Sequence, residues 1–255
     1  MAQSLARSHS PEIVDAQGIL VRYGDTLVLD KVSLRVVTGS TLVILGNSGC
    51  GKTTLLKVLA GSIKPSEGSV RLDGQELQTV AVSKRGIIYL DQESLLFDHL
   101  NVYENVAFAL RLRRLPAAEV DAQVRQLLSR ISLAEHARKK SHQLSGGQKQ
   151  RVAFARAILA APKVLLLDEP FGSLDERTRT MMQNLYKDLC SEFGITAVFV
   201  THDVKEALLV GDAFGYMDQG KLERHASRED FMNDPRTGVM QEIRFWQTVQ
   251  SRQAT

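Results

Sequence analysis

Residues 46–54, Gly-Asn-Ser-Gly-Cys-Gly-Lys-Thr-Thr, fit the pattern G-x-x-x-x-G-K-[ST] at every fixed position. Gly46, Gly49 and Gly51, with Asn47, Ser48 and Cys50 between them, let successive backbone N–H groups turn toward one anion. Lys52 can reach terminal phosphates, and the hydroxyl of Thr53, followed by Thr54, can ligate Mg²⁺ at the positive end of a helix. The flanks agree: the contiguous apolar run "TLVIL" precedes the loop and "TTLLKVLAG", with helical period and a closing Gly61, follows it. An incidental glycine turn with a lysine would not carry both.

Asp168 and Glu169 close a second apolar run, "VLLL". Two adjacent carboxylates at a strand end are costly without a cation, so Asp168 suits a metal and Glu169 an attacking water. Gln92 follows "GIIYLD" and could touch the metal's water shell. His202 follows "AVFVT", where an imidazole can donate to a γ-phosphate, although a histidine there is more often structural when it stands alone. Tyr23, before "GDTL", could stack on adenine or simply pack. A second glycine segment, "LSGGQ" at 144–148, sets Ser145, Gly146, Gly147 and Gln148 at a helix start, which is another anion-binding surface. Capping by Ser145 explains the helix but not the two glycines and Gln148.

These side chains need a scaffold. The runs at 40–46, 164–168 and 195–202 are contiguous and β-branched, which predicts parallel strands buried on both faces. Rough alternation over 13–23 and 27–37 predicts an antiparallel group, and 65–77 is turn-rich with one short strand. Val120, Val124, Leu127, Leu128 and Ile131 recur at helical spacing inside a mostly helical lobe over about 94–156. The expectation is an α/β layered sheet with an inserted helical lobe.

Composition bounds the rest. A formal charge of +3 over 255 residues with 24% charged residues is far from the balance of a nucleic-acid binder. Cys50 and Cys190 have no metal-ligand spacing and point to a reducing cytosol. The first twelve residues carry no apolar core of signal-peptide length and are expected to be disordered. No stretch approaches the roughly 18 apolar residues of a membrane span.

"LSGGQ" followed by "VLLLDEP" resembles the nucleotide-binding subunit of ATP-binding cassette transporters, over about residues 13–222. The resemblance implies a P-loop NTPase core of α/β class with a mostly parallel sheet, an N-terminal antiparallel β-subdomain and an inserted α-helical subdomain. Residues 223–255 then form a short helical extension without a regulatory β-domain. It implies ATP and Mg²⁺, with Tyr23 stacking on adenine, 46–54 holding phosphates, and Thr53, Gln92 and Asp168 at the metal. Glu169 becomes the catalytic carboxylate, His202 the switch histidine, Gln92 the coupling glutamine and "SLD" at 173–175 the dimer-facing loop. In the family, the 144–148 signature of one subunit covers the ATP of the other, head to tail.

"LLFDHLNVYENVAFAL" and "FVTHDVKEALLVGDAFGYMDQGKL" look like the ATPases of bacterial importers of small polar solutes or oxyanions. The implied partners are a second copy or homologous ATPase subunit, polytopic permease subunits and an external solute-binding protein, at the cytoplasmic face of the inner membrane. No nucleic-acid partner is implied. Leu96, Phe97 and Leu100 would receive a cytoplasmic helix of the permease. The basic runs Arg111, Arg113, Arg114 and Arg138, Lys139, Lys140 read as solvated faces or as contacts to anionic lipid. The alternative is a soluble member acting on ribosomes or DNA, which would ordinarily carry two cassettes or a long coiled-coil insertion.

Overall fold

The computed structural model describes residues 12–91 and 95–253. The chain opens with an antiparallel hairpin, β1 (Glu12–Tyr23) and β2 (Thr26–Val37), then β3 (Thr41–Leu45) and α1 (Lys52–Leu59). Next come β4 (Glu67–Leu72), β5 (Gln75–Glu76) and β6 (Ile87–Leu90), and three helices, α2 (Val102–Leu112), α3 (Ala117–Arg130) and α4 (Gly146–Leu159). β7 (Val164–Asp168), α5 (Glu176–Phe193), β8 (Thr196–Thr201), α6 (Val204–Val210), β9 (Ala213–Asp218) and β10 (Lys221–Arg224) complete the core. α7 (Arg228–Asn233) and α8 (Val239–Gln253) follow.

Two sheets result. The smaller has the order β2-β1-β4-β5, all antiparallel. The larger has the order β10-β9-β3-β8-β7-β6, parallel from β9 to β6 with β10 antiparallel at its edge. The contiguous apolar runs find their explanation here, because side chains alternate across a strand. Val43, Leu45, Leu165, Leu167, Ala197 and Phe199 enter the cluster shared with the helical lobe, α5 and α6. Leu42, Ile44, Val164, Leu166, Val198 and Val200 face the other way, onto α1 and the antiparallel sheet.

On the first face Phe154, Phe171, Tyr186 and Phe199 meet at ring distances of 5.5–6.4 Å. The buried Tyr186 hydroxyl is 2.9 Å from Thr41 Oγ1, so the aromatic cluster costs no orphaned polar group. Two of the lobe helices, α2 and α4, start where a side chain supplies an acceptor. Asn101 and Glu104 form a reciprocal cap on α2, and Ser145 and Gln148 form one on α4.

The 65–77 stretch holds two strands rather than one, and β9 and β10 were not foreseen. The first 11 residues, for which disorder was expected, lie outside the described residues.

Candidate functional site

The glycine loop leaves β3 at Gly46, where a Cβ would lie 2.3 Å from Met217 O and 2.9 Å from Cys50 Sγ; only glycine fits against β9 there. Gly51, at φ 110°, turns the chain into α1, a conformation open to glycine and few others. The loop is tied at its far side by Gly220 N, which donates to Cys50 O at 3.0 Å. Lys52 is 5% exposed, and its ammonium donates to Gly46 O at 2.7 Å and Asn47 O at 3.0 Å, with Glu169 Oε1 3.8 Å away. The lysine therefore sits under its own loop with its charge satisfied by two carbonyls and a carboxylate.

Adjacency of β3, β8 and β7 brings the other groups to the same edge, because the carboxyl ends of neighbouring parallel strands lie side by side. β7 ends at Asp168, whose Oδ2 accepts from the Tyr89 hydroxyl at 2.9 Å. Burial, then the charge and hydrogen bond of Asp168, push the Tyr89 phenol well above its ordinary pKa, so it remains a donor. Glu169 follows with φ 46°, unusual for a residue bearing a Cβ, and its N–H bonds Val200 O at 3.1 Å across to β8. Its Oε2 lies 3.0 Å from Nδ1 of His202, which is more than half exposed just past β8. Lys52, Glu169 and His202 are thus brought together by three adjacent strand ends.

The loop, Lys52, Thr53, Thr54, Asp168 and Glu169 line a pocket of about 380 Å³ with Val28 of β2 at its wall. A run of N–H-rich loop, one buried lysine and an exposed Thr53 hydroxyl suits a polyphosphate. The same pocket tests Mg²⁺: its lining includes the Thr53 hydroxyl and the Asp168 carboxylate among a few scattered oxygen donors. That donor set fits an ion that keeps most of its water and shares phosphate oxygens. Among the described residues no cluster of three His, Cys, Asp or Glu forms a closed protein cage.

Other expected residues stand elsewhere. Ser145, Gly146, Gly147 and Gln148 do not line the pocket; they open α4 in the helical lobe, exposed or half-buried. Ser145 Oγ accepts from Gln148 N at 3.3 Å and Gln148 Oε1 accepts from Ser145 N at 3.0 Å. The cap therefore accounts for Gln148 as well as Ser145, and leaves the two glycines to be explained. Tyr23 ends β1 with its ring half exposed and outside the pocket wall. Gln92 lies outside the described residues.

The 173–175 loop packs on the signature helix. Ser173 donates to Gln150 Oε1 at 2.9 Å, and a Cβ on Gly147 would lie 2.9 Å from Leu174 Cδ2. Asp175 caps α5 through Thr178 N at 3.0 Å, and that backbone bond lowers its pKa.

Phe97 lines a surface groove of about 320 Å³ with Ile88, Phe108, Leu112 and Arg156, whose guanidinium lies 4.6 Å from the Phe97 ring centre. Parts of the basic runs have partners within the chain: Arg113 donates to Ala160 O at 2.5 Å and Lys140 to His99 O at 2.6 Å. Tyr89 was not singled out from sequence; its position on an apolar strand hides its hydroxyl, and only its nearness to "LD" could have flagged it.

Comparisons with known proteins bear on the family and the fold. The chain is 41% identical over 236 residues to the spermidine/putrescine import ATP-binding protein PotA of Vibrio cholerae serotype O1, covering 92% of this chain and 63% of that protein. Proteins of the same name from Haemophilus ducreyi and Bacteroides fragilis are 42% and 40% identical, over 88% and 89% of this chain. This chain spans 60% and 49% of their lengths, so it matches only part of each. A solved ATP-binding cassette, MJ0796, described as a dimer in a post-hydrolysis state with ADP and Pi, superposes with a TM-score of 0.74 at 31% identity. That match covers 83% of this chain and 97% of the other. Residues 29–172, more than half of the sequence, match the model of the ABC transporter family, and the chain belongs to that family.

Proposed function

We propose that this chain is the ATP-hydrolysing subunit of a membrane importer, working as a head-to-tail dimer with two shared ATP sites. The observation that carries the proposal is the separation within one chain. Lys52, Asp168 and Glu169 gather at one pocket with His202 against Glu169 beside it, whereas the Ser145–Gln148 turn faces outward from another lobe. A phosphate in the 46–54 loop is covered on one side only, and an outward-facing N-cap with two glycines is suited to cover it from a second copy.

In this reading the loop amides and Lys52 hold the β- and γ-phosphates, and Lys52 gives up its carbonyl partners to do so. Tyr23 stacks on the adenine. Thr53, Asp168 and Gln92 would hold Mg²⁺, which when bound neutralises phosphate charge. Glu169 orients the attacking water and takes its proton, and His202, fixed against Glu169, donates to the γ-phosphate. Closing and reopening of the dimer moves the permease through the groove around Phe97.

Among the described residues no helix is long and apolar enough to cross a membrane, and in this reading the permease is a partner subunit. The polyamine importers named above support import, with an external solute-binding protein as the further partner. They also make a polyamine the first solute to assay. The proposed station is the cytoplasmic face of the cell membrane.

The test is purification with Mg²⁺ and ATP, with and without a co-expressed permease. ATP-stabilised dimers by light scattering, and hydrolysis that rises steeply with protein concentration, are expected. Full hydrolysis by a strictly monomeric chain would refute the shared site, and co-purifying ribosomal RNA or DNA in place of a permease would refute transport.

A further inference from the structure

His202 lies on a short link between β8 and α6, and its exposure leaves little above it to fix where the imidazole points. What fixes it lies beneath. Glu206, one turn into α6, is 4% exposed and uses both carboxylate oxygens. Oε2 accepts from the Thr201 hydroxyl at 2.5 Å, and Oε1 accepts from Gln183 Nε2 of α5 at 3.1 Å. Thr201 and Gln183 are buried as well. While its hydroxyl proton points to Glu206, the Thr201 oxygen accepts from Asp203 N at 3.0 Å. Asp203 Oδ1 in turn accepts from Lys205 N at 2.8 Å and Glu206 N at 3.1 Å, which closes the ring back onto α6. The residues on both sides of His202 are therefore tied to Glu206, Thr201 through the Glu206 carboxylate and Asp203 through the Glu206 N–H and the Thr201 hydroxyl.

We propose that Glu206 is a positioning residue for His202, holding through Thr201 the strand end from which the imidazole meets Glu169. The inference rests on the reading of Glu169 and His202 as the reacting pair. A small cavity of about 60 Å³ supports it independently, because Glu169, His202, Arg179 and Glu206 all border it. Burial raises the pKa of Glu206, opposed by the bonds from Thr201 and Gln183 and by the charge of Arg179. A leucine or methionine would fill this volume without the desolvation penalty. Neither could accept two hydrogen bonds, and accepting is what orients the Thr201 hydroxyl.

The experiment compares Glu206→Ala, Glu206→Gln and Thr201→Val, each alone and with His202→Ala, in the full chain with Mg²⁺ and ATP. Glu206→Ala and Thr201→Val are expected to lower kcat about ten- to a hundredfold, with KM for ATP within about twofold of the parent because the phosphate loop is untouched. Glu206→Gln, which can accept from Thr201 and donate to a turned Gln183 amide, should recover most of the rate. In the His202→Ala background the same changes should alter kcat less than about twofold. The ring nitrogen resonances of His202 should shift in Glu206→Ala and Thr201→Val and return toward the parent in Glu206→Gln.

Parental kcat in both Glu206→Ala and Thr201→Val, or losses of equal size with and without His202, would overturn the proposal. Thr201→Val preserves the volume of the site, so a failure of Glu206→Ala to fold leaves that variant to decide. If His202→Ala alone keeps the parental rate, the catalytic reading of His202 fails. The ring resonances then decide the positioning by themselves, and unchanged shifts would overturn it.

Discussion

A carboxylate at residue 146 should push the monomer and the dimer in opposite directions. Gly146 is the first helical residue of α4, is exposed, lacks a positive φ, and has no atom within 4 Å of where a Cβ would stand. Within one chain Gly146→Asp therefore meets nothing. It removes backbone freedom from the unfolded chain, worth about 0.4–1 kcal/mol, and it places a negative charge at a helix N-terminus, worth about 0.3–1 kcal/mol. The sum is a gain of about 1 kcal/mol, or a rise of roughly 2–4 °C in Tm for a domain of this size. In the dimer the same carboxylate would face the partner's bound phosphates. Two like charges about 4 Å apart at an effective dielectric of about 20 repel by about 4 kcal/mol, which is close to a thousandfold in association for each of the two shared sites. The assay is the ATP-dependent dimer fraction by multi-angle light scattering, in a Glu169→Gln background that prevents turnover, beside a calorimetric Tm. Dimerisation at the parental ATP concentration would refute the shared site, and a lowered Tm would refute the account of the free helix end. Gly147 is less clean, because its added Cβ would have to displace Leu174.

Glu169→Gln should leave ATP binding intact and lower kcat by about 10²–10⁴, the range of a lost general base; a parental rate in single-turnover kinetics would remove Glu169 from that role. Gly220→Ala should destabilise the chain by about 1–3 kcal/mol, because residue 220 has φ 77° and an added Cβ would stand 2.5 Å from Val28 O. Urea unfolding with an unchanged midpoint would contradict that. Burial pushes the Cys190 thiol up to about 12 from an ordinary value of 9.0. Between those values the unfolded chain has lost the proton that the folded chain keeps. Stability is thus complete below about pH 9 and falls by up to about 1.4 kcal/mol per pH unit as pH climbs toward 12. Cys190→Ala should flatten this alkaline slope in urea titrations at several pH values, and an identical slope would assign the loss to other groups.

The parallel strands were legible because burial on both faces leaves a mark that no other element leaves: β3, β7 and β8 are short unbroken apolar runs. β9 has the same burial, but Gly215 interrupts it, and that glycine answers to Leu222 of β10, a neighbour that a local pattern does not contain. The glycines of the 46–54 loop were readable from spacing alone, since close approach at Gly46 and a positive φ at Gly51 dictate glycine there. Glu169 was readable as a carboxylate at a strand end, but not its left-handed backbone or its reach to His202, both of which depend on the β7–β8 register. Gln148 was misjudged as unexplained by a cap, although S-x-x-Q is itself a capping pattern. Glu206 carries no mark of burial in the local sequence, because Gln183 and Thr201, which take it inside, come from other elements.

The seating of the glycine loop also sets a timetable. Its floor is Met217 O, its far tie is Gly220, and β3 is flanked by β8 and β9, all of which are synthesised after the loop itself. At about 5–20 residues per second, a chain leaving the ribosome would carry an unseated loop for on the order of ten to thirty seconds. The antiparallel hairpin and α1 can form early from local contacts, whereas the phosphate-holding shape arrives only with the last strands of the sheet. A nascent chain is therefore unable to grip a nucleotide until β9 and the turn at Gly220 exist, which ties ligand competence to a segment made long after the loop.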